Sequence, residues 1–182
     1  SVASLVRVYK GRAERGEDMA DAFDAIGRRI EATAALHQML HDSPLDDAVM
    51  MDDFLKEIAS LLQDSAPDNV SISCDASPVA ISTSVASSIA VIVSEFVANS
   101  IKHAFVDGQS GHVAISGKSL ADGTLEITCE DNGDANPEST AAKTSASGLG
   151  KRIMKASASQ IGATLENGPG PKGYRMVLTL PG

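Results

Sequence analysis

Four side chains with acid, amide and base chemistry interrupt one apolar, helix-like segment, SEFVANSIKHAF. They are Glu95, Asn99, Lys102 and His103. At about 100° per residue these four fall within one helical stripe, while the apolar side chains and Ser100 centre on the neighbouring stripe. Such a helix can bury one side against a sheet and present a carboxylate, an amide and a base to a cleft. The helix alone leaves open a solvated face with internal contacts such as Glu95–Lys102 or Glu95–Asn99.

A carboxylate ends the strand-like segment LEITCEDNG. Four alternate residues share strand parity: Leu125, Ile127, Cys129 and Asp131. We therefore expect the Asp131 side chain to point to the same side as the apolar residues before it, where it needs hydrogen-bond donors. It could cap the turn at Asn132 and Gly133, since Asp-Asn-Gly is a common turn. It could also accept from a ligand amino group such as that of adenine, with Gly133 letting the ligand approach the backbone.

A third candidate is SASGLGKRIM, where Gly148 and Gly150 open a predicted helix with Ser147 as its N-cap. The free amides and the positive end of the helix dipole suit an anion. A glycine pair at a helix start is weak evidence alone, because it is often only a flexible entry. The order of the signals carries more weight: polar helix, inward carboxylate, polar loop, glycine-rich helix start.

Two helices are predicted ahead of these segments, over residues 1–14 and 19–41, as an antiparallel hairpin. The second has one periodic stripe: Phe23, Ile26, Ile30, Ala34, His37 and Leu40. Pro44, in DSPLDD, marks a boundary. Because the first arm begins at Ser1 without a start signal, we expect the chain to be part of something longer.

Helices and strands alternate beyond Pro44, which predicts an α+β or α/β layered arrangement. We expect helices over 51–64, 83–105 and 148–161, and strands over 70–74, 112–116, 124–130, 164–166 and 174–180, with a polar segment over 132–146. The segment GHVAISGKSLADGTLEITCED is typical of an antiparallel hairpin.

Composition limits the function classes. The chain is 43% hydrophobic and 21% charged, as in an ordinary folded protein, and its net charge of −9 argues against a nucleic-acid partner. Its longest apolar run contains Glu95 and several serines, which favours a core helix over a membrane span. The N-terminal residues lack the pattern of a signal peptide. Cys74 and Cys129 lie far apart without metal-ligand spacing, which favours buried thiols in a reducing cytoplasm.

The three segments together resemble a known family. EFVANSIKHAF, EDNG and SGLG are similar to the N box and the two glycine boxes of the Bergerat (GHKL) ATP-binding fold of gyrase, Hsp-type chaperones, MutL and histidine kinases. The KHAF ending, and RIEATAALHQML before FLKEIASLL, resemble the HWE and related second-type histidine kinases. The resemblance implies a two-layer α/β sandwich over 44–182, preceded over 1–43 by a partial dimerisation and phosphotransfer hairpin.

The resemblance also implies roles for the residues that match its boxes. Asn99 would coordinate Mg²⁺, and Glu95 would polarise water or order that site. Lys102 and His103 would face the phosphates and ribose of ATP, and Asp131 would accept from the adenine amino group. Four residues would bring the backbone close to the nucleotide and its lid: Gly133, Gly148, Leu149 and Gly150.

Two departures from the family pattern stand out. Asp134 and Ala135 stand where the family often has a second glycine. No acceptor-histidine motif occurs in the first arm, so we expect the phosphoacceptor upstream of Ser1. His37 matches a packing position, and His41 lies at a helix end where a cation is favoured.

The implied function is transfer of the γ-phosphoryl of ATP to a histidine and then to an aspartate of a response-regulator receiver, in the cytoplasm, with a possible homodimer through the hairpin. Two alternatives remain at this point. One is a phosphotransfer or docking protein with a degenerate ATP domain, and the other is an anti-sigma-factor type serine kinase.

Overall fold

The computed structural model describes residues 20–42, 47–105, 109–133 and 148–182. Over these residues the helices are α1 (Ala20–Asp42), α2 (Met51–Asp64), α3 (Thr83–His103) and α4 (Gly148–Gln160). The strands are β1 (Ala48–Met50), β2 (Val70–Ala76), β3 (Ala80–Ser82), β4 (Gly111–Ser119), β5 (Leu125–Asp131), β6 (Thr164–Pro169) and β7 (Tyr174–Leu180). The predicted helix over 1–14 and nearly all of the predicted polar segment lie outside the described residues.

Five strands form a mixed sheet in the order β2-β4-β5-β7-β6. β2 and β4 are parallel, and the other neighbouring pairs are antiparallel. The predicted antiparallel hairpin is confirmed as β4–β5, in which Val113 lies opposite Asp131. A second, two-stranded sheet pairs β1 with β3. It was not predicted, because three-residue strands are too short to show a periodic pattern.

Helices α2, α3 and α4 pack on the sheet, so the predicted two-layer arrangement is confirmed. The core is formed by the helices and by alternate strand residues such as Val113, Ile115, Ile127 and Met176. β5 shows the expected alternation, with Ile127, Cys129 and Asp131 all buried. The carboxylate therefore lies on the inner side of the sheet.

Helix α3 runs through the centre of the core. Ser82 caps the start of this helix, where its side chain accepts a hydrogen bond from the amide of Val85 at 3.4 Å. Lys102 and His103 lie in the last turn, where the helix dipole favours basic side chains. Among the described residues it is the one helix long and apolar enough to cross a membrane, but 67% of its apolar window is buried inside the fold. This burial agrees with the predicted core helix.

The face that α1 buries differs from the prediction. Phe23 and Ile30 of the expected apolar stripe are 67% and 53% exposed, whereas Ala32 and Leu36 are 6% and 7% exposed. Helix α1 packs against α2 and α3 along the line of Arg28, Ala32 and Leu36, which are spaced one turn apart. The contact with α2 and α3 therefore uses a face other than the predicted apolar stripe, and a small side chain and an arginine lie on that face.

Cys129 is buried, Cys74 is half-buried, and both are free thiols. Burial raises the pKa of both thiols above the ordinary value of 9.0. Both therefore stay protonated at neutral pH. The prediction of buried, unpaired thiols is confirmed for Cys129, whereas Cys74 is unpaired but only half-buried.

Candidate functional site

Asp131 is the best-defined group of the candidate site. It ends β5 with only 3% of its surface exposed. The hydroxyl of Ser100 donates to its Oδ2 at 2.7 Å. The backbone amides of Gly133 and Tyr174 donate to its Oδ1 at 3.1 and 3.0 Å. Three donors from three segments thus hold a buried carboxylate in one orientation.

This network leaves a defined acceptor position. An ionised carboxylate has about four lone-pair sites, two on each oxygen. Oδ1 is filled by its two amide donors, whereas Oδ2 accepts, within the described part of the chain, from Ser100 alone. One lone pair of Oδ2 is therefore available for a further donor, such as an exocyclic amine.

The backbone around Asp131 is packed closely enough to require glycine. A Cβ at Gly173 would lie 2.6 Å from Asp131 Oδ1 and 2.8 Å from the carbonyl oxygen of Gly133. A Cβ at Gly133 would lie 2.5 Å from the Cβ of Ala104. The turn before β7 and the turn after β5 thus meet at the carboxylate, and the end of α3 closes over them.

An aromatic pair lies beside this network. The rings of Phe96 and Tyr174 are stacked, with centroids 6.5 Å apart and an interplanar angle of 14°. Burial, and then the negative charge of Asp131, raises the pKa of the Tyr174 phenol. The Tyr174 residue therefore contributes an amide donor and a neutral ring to the same region.

A second group forms where α3 faces the start of α4. A Cβ at Gly150 would lie 3.1 Å from Oε2 of Glu95 and 3.4 Å from Nδ2 of Asn99. Glu95 is only 8% exposed and Asn99 is half-buried. The carboxylate and the amide therefore face the glycine-rich helix start directly, which excludes the solvated-face alternative for Glu95.

These donors fit magnesium. Mg²⁺ takes one or two protein oxygens and keeps water and phosphate oxygens for its other ligands. The side-chain oxygens of Asn99 and Glu95 supply such a set, next to helix amides that suit phosphate. No cluster of three or more His, Cys, Asp or Glu side chains able to hold a metal occurs within the described ranges. The donor set is thus too sparse for an all-protein metal cage and suits a metal that is shared with a ligand.

The two groups are joined through α3, because Asn99 and Ser100 are consecutive residues. Asn99 belongs to the group at α4 and Ser100 to the group at β5. Glu95 lies about 7.5 Å before Ser100 along the helix axis. One rigid helix therefore sets the separation between the buried carboxylate and the glycine-rich helix start.

The other predicted site residues are placed as follows. Lys102 is exposed and His103 is half-buried at the end of α3. Gly148 and Leu149 are the first residues of α4. Asp134, Ala135 and Ser147 lie outside the described residues.

Three contributors were not predicted: the hydroxyl of Ser100, the amide of Tyr174 and the guanidinium of Arg28. The Nη2 of Arg28 lies 3.4 Å from Oε1 of Glu95, so Glu95 forms an ion pair with α1, a contact that the solvated alternative did not include. Ser100 had a signal, because a serine on the apolar stripe of a core helix must find a partner when buried. A backbone amide and a contact between residues far apart in sequence give no such signal.

Residues 84–182 match the family described as "Histidine kinase-, DNA gyrase B-, and HSP90-like ATPase". Residues 1–66 match a second family described as "Histidine kinase". The Blue-light-activated histidine kinase 2 of Erythrobacter litoralis (strain HTCC2594) is 26% identical over 185 residues, covering 99% of this chain and 52% of that protein. The chain thus spans about half the length of this curated relative.

Two solved structures show the same arrangement. The histidine kinase domain of the Erythrobacter litoralis EL346 blue-light-activated histidine kinase aligns with a TM-score of 0.76 and 25% identity, over 99% of this chain and 85% of that one. The ATP-binding domain of PrrB from Mycobacterium tuberculosis aligns with a TM-score of 0.58 and 28% identity, over 75% of this chain and 98% of that one.

Proposed function

Since this chain belongs to the histidine kinases that carry an ATPase domain of the DNA gyrase B and HSP90 type, we propose that it binds Mg·ATP between β5 and the start of α4. We propose further that it supplies the γ-phosphoryl to a histidine. In this transfer the bond from the γ-phosphorus to the bridging oxygen breaks, a phosphorus–nitrogen bond forms, and ADP leaves. An aspartate of a response-regulator receiver would then take the phosphoryl group from the histidine.

One observation supports ATP most strongly: Asp131 is a buried carboxylate with one acceptor position on Oδ2 that no described residue fills. The exocyclic amine of adenine can donate to it. Guanine would present a carbonyl oxygen at that place, and two acceptors would then face each other without a hydrogen bond. The ATP-binding domain of PrrB, to which the fold is similar, agrees with this ligand class.

At the phosphate end, Asn99 would hold the metal and Glu95 would order its water. Bound magnesium would neutralise charge on the transferred phosphoryl group. The amides of Gly148, Leu149 and Gly150 would donate to phosphate oxygens at the positive end of α4. Lys102 and His103 would face the phosphates and ribose. The protein's contribution is thus positioning and charge stabilisation rather than covalent chemistry.

We propose the same two functional segments that the sequence predicts. Residues 1–43 would belong to the dimerisation and phosphotransfer hairpin, and residues 44–182 would form the catalytic ATP-binding domain, acting in the cytoplasm. His37 is exposed on α1, and no contact among the described residues assigns an acid or an amide to it. The acceptor histidine is therefore proposed to precede Ser1 in the native kinase.

Radiolabelled ATP tests this assignment. The present chain should bind nucleotide but take up almost no acid-labile, base-stable label, whereas a version extended N-terminally through the native helix should label itself. His37→Ala and His41→Ala in the extended version should leave that label largely intact. Label on the present chain that either substitution abolishes would place the acceptor in α1 and contradict the proposal. Nucleotide binding without any label on the extended version would favour a docking role.

A further inference from the structure

One ion pair connects the hairpin helix to the phosphate end of the candidate site. Arg28 of α1 lies 3.4 Å from Glu95 of α3, measured from Nη2 to Oε1. The side chains are 23% and 11% exposed, so water screens the contact only partly. The residues are 67 positions apart in sequence. The pair therefore reports whether α1 is docked against α3.

The two oxygens of Glu95 face different parts of the molecule. Oε1 contacts Arg28, while Oε2 is the atom nearest to the position of a Cβ at Gly150. A buried carboxylate is costly unless it is paired, so its orientation depends on the partner that it has. Arg28 thus fixes the carboxylate whose other oxygen faces the proposed phosphate end.

The contact from Arg28 is single rather than bidentate. Its Nε is buried and has no hydrogen-bond partner among the residues that the structure describes. A cavity of ≈ 10 Å³ adjoins the side chain, lined also by Ala32, Ile58 and Ser94. An arginine–carboxylate ion pair is strongest when two N–H groups of the guanidinium bind the carboxylate at once. The interface therefore holds Glu95 by one hydrogen bond from Arg28.

We propose that Arg28 is a positioning residue that holds Glu95 in place for Mg·ATP and so makes nucleotide affinity depend on the docking of α1. The proposal rests on the function proposed above. Arg28 does not touch the nucleotide in this account. Because coupling between two equilibria is reciprocal, Mg·ATP should stabilise the docking of α1 by the same factor by which docking strengthens Mg·ATP binding.

The test is a double-mutant cycle on this chain, with Mg·ATP affinity measured by calorimetry for wild type, Arg28→Gln, Glu95→Gln and the double variant. Contacting charged residues couple by amounts that correspond to at least about twofold in affinity. Arg28→Gln should therefore weaken Mg·ATP binding by about twofold or more in the presence of Glu95 and have little effect when Glu95 is already Gln. Arg28→Lys should restore part of the affinity, since it retains the charge.

Two further readouts separate positioning from a general structural role. Adenosine, which would reach Asp131 but not the phosphate end, should bind wild type and Arg28→Gln equally. Hydrogen exchange of α1 should slow on adding Mg·ATP to wild type, but not to Arg28→Gln. Arg29→Gln is the matched control, because it makes the same change of charge one residue along the same helix, and it should behave as wild type.

The outcomes distinguish the two proposals. If wild type binds neither adenosine nor Mg·ATP, the proposed function fails. If wild type binds both and Arg28→Gln binds Mg·ATP equally well, the positioning role is wrong while the proposed function stands. An equal loss from Arg28→Gln with and without Glu95 would also overturn the role, because Arg28 would then act without the carboxylate. Loss of adenosine binding in Arg28→Gln would show that Arg28 supports the fold in general, and it would contradict the positioning role.

Discussion

Replacing Gly173 by alanine should disrupt the site around Asp131 more than any comparable change in the β6–β7 hairpin. The new Cβ would lie 2.6 Å from Asp131 Oδ1 and 2.8 Å from the carbonyl oxygen of Gly133, and it would contact the carbonyl oxygen of Asp131 as well. Real Cβ atoms do not approach other atoms this closely, and two of these three are backbone atoms that cannot rotate away. The turn must therefore move.

The expected cost has two parts. Overpacking a rigid site costs about 1–3 kcal/mol. Moving the turn also weakens the hydrogen bond from the amide of Tyr174 to Asp131, and a hydrogen bond to a charged group is worth about 1.5–3 kcal/mol. We expect Gly173→Ala to lower the free energy of unfolding by about 3 kcal/mol or more. Nucleotide affinity should fall at least tenfold or so, the effect of losing about 1.4 kcal/mol of binding free energy.

Gly168→Ala is the matched control. Gly168 lies in β6, opposite Arg175 of β7, and a Cβ there would meet nothing within 4 Å. We expect a change in unfolding free energy within about 0.5 kcal/mol and unchanged nucleotide affinity. Urea titration of both variants, with calorimetry of nucleotide binding, measures the two effects. If Gly173→Ala is as stable as Gly168→Ala and binds ATP equally well, the described packing around Asp131 is wrong.

Two further predictions concern buried groups. Ser100→Ala should lower the free energy of unfolding by about 2 kcal/mol, because it removes a hydrogen-bond donor from a buried carboxylate. The loss should be larger than that from Ser88→Ala, at another buried position of α3. Equal losses in urea titration would contradict the hydrogen bond from Ser100 to Asp131. Burial raises the pKa of the Cys129 thiol above its ordinary value of 9.0. At pH values above 9.0 the thiol therefore ionises in the unfolded chain but stays protonated in the folded chain. The free energy of unfolding should then fall with rising pH by up to about 1.4 kcal/mol per pH unit. Cys129→Ala should remove that part of the slope, and an unchanged slope in denaturation at pH 9 to 11 would exclude it.

The sequence predicted the elements that carry strong periodicity. Helix α3 and strand β5 follow from their apolar spacing, and the inward side chain of Asp131 follows from strand parity. The buried face of α1 did not follow, because Phe23 and Ile30 of its apolar stripe are exposed and the buried line contains Arg28 and Ala32. A helix can present either face until its neighbours are known, and sequence periodicity does not contain those neighbours.

Within the candidate site, the residues with distinctive chemistry were found and their supporting contacts were missed. Glu95 and Asn99 share one side of α3, as their spacing predicts, and the structure shows that this side faces the start of α4. The amide of Tyr174 reaches Asp131 from 43 residues away, and nothing in its residue type indicates this. Such contacts depend on strand register, which pairs β5 with β7, and register was not predicted from the sequence.

Calorimetric titration of this chain with Mg·ATP tests the central claim most directly. We expect saturable binding at one site, stronger than Mg·GTP by at least about tenfold because guanine cannot donate to Asp131. Asp131→Ala should weaken ATP through the adenine, with or without magnesium, whereas Asn99→Ala should remove mainly the part of the affinity that depends on magnesium. Absence of binding heat and of any thermal shift with Mg·ATP and Mg·ADP would contradict the account, and equal affinities for ATP and GTP would remove Asp131 from its proposed role.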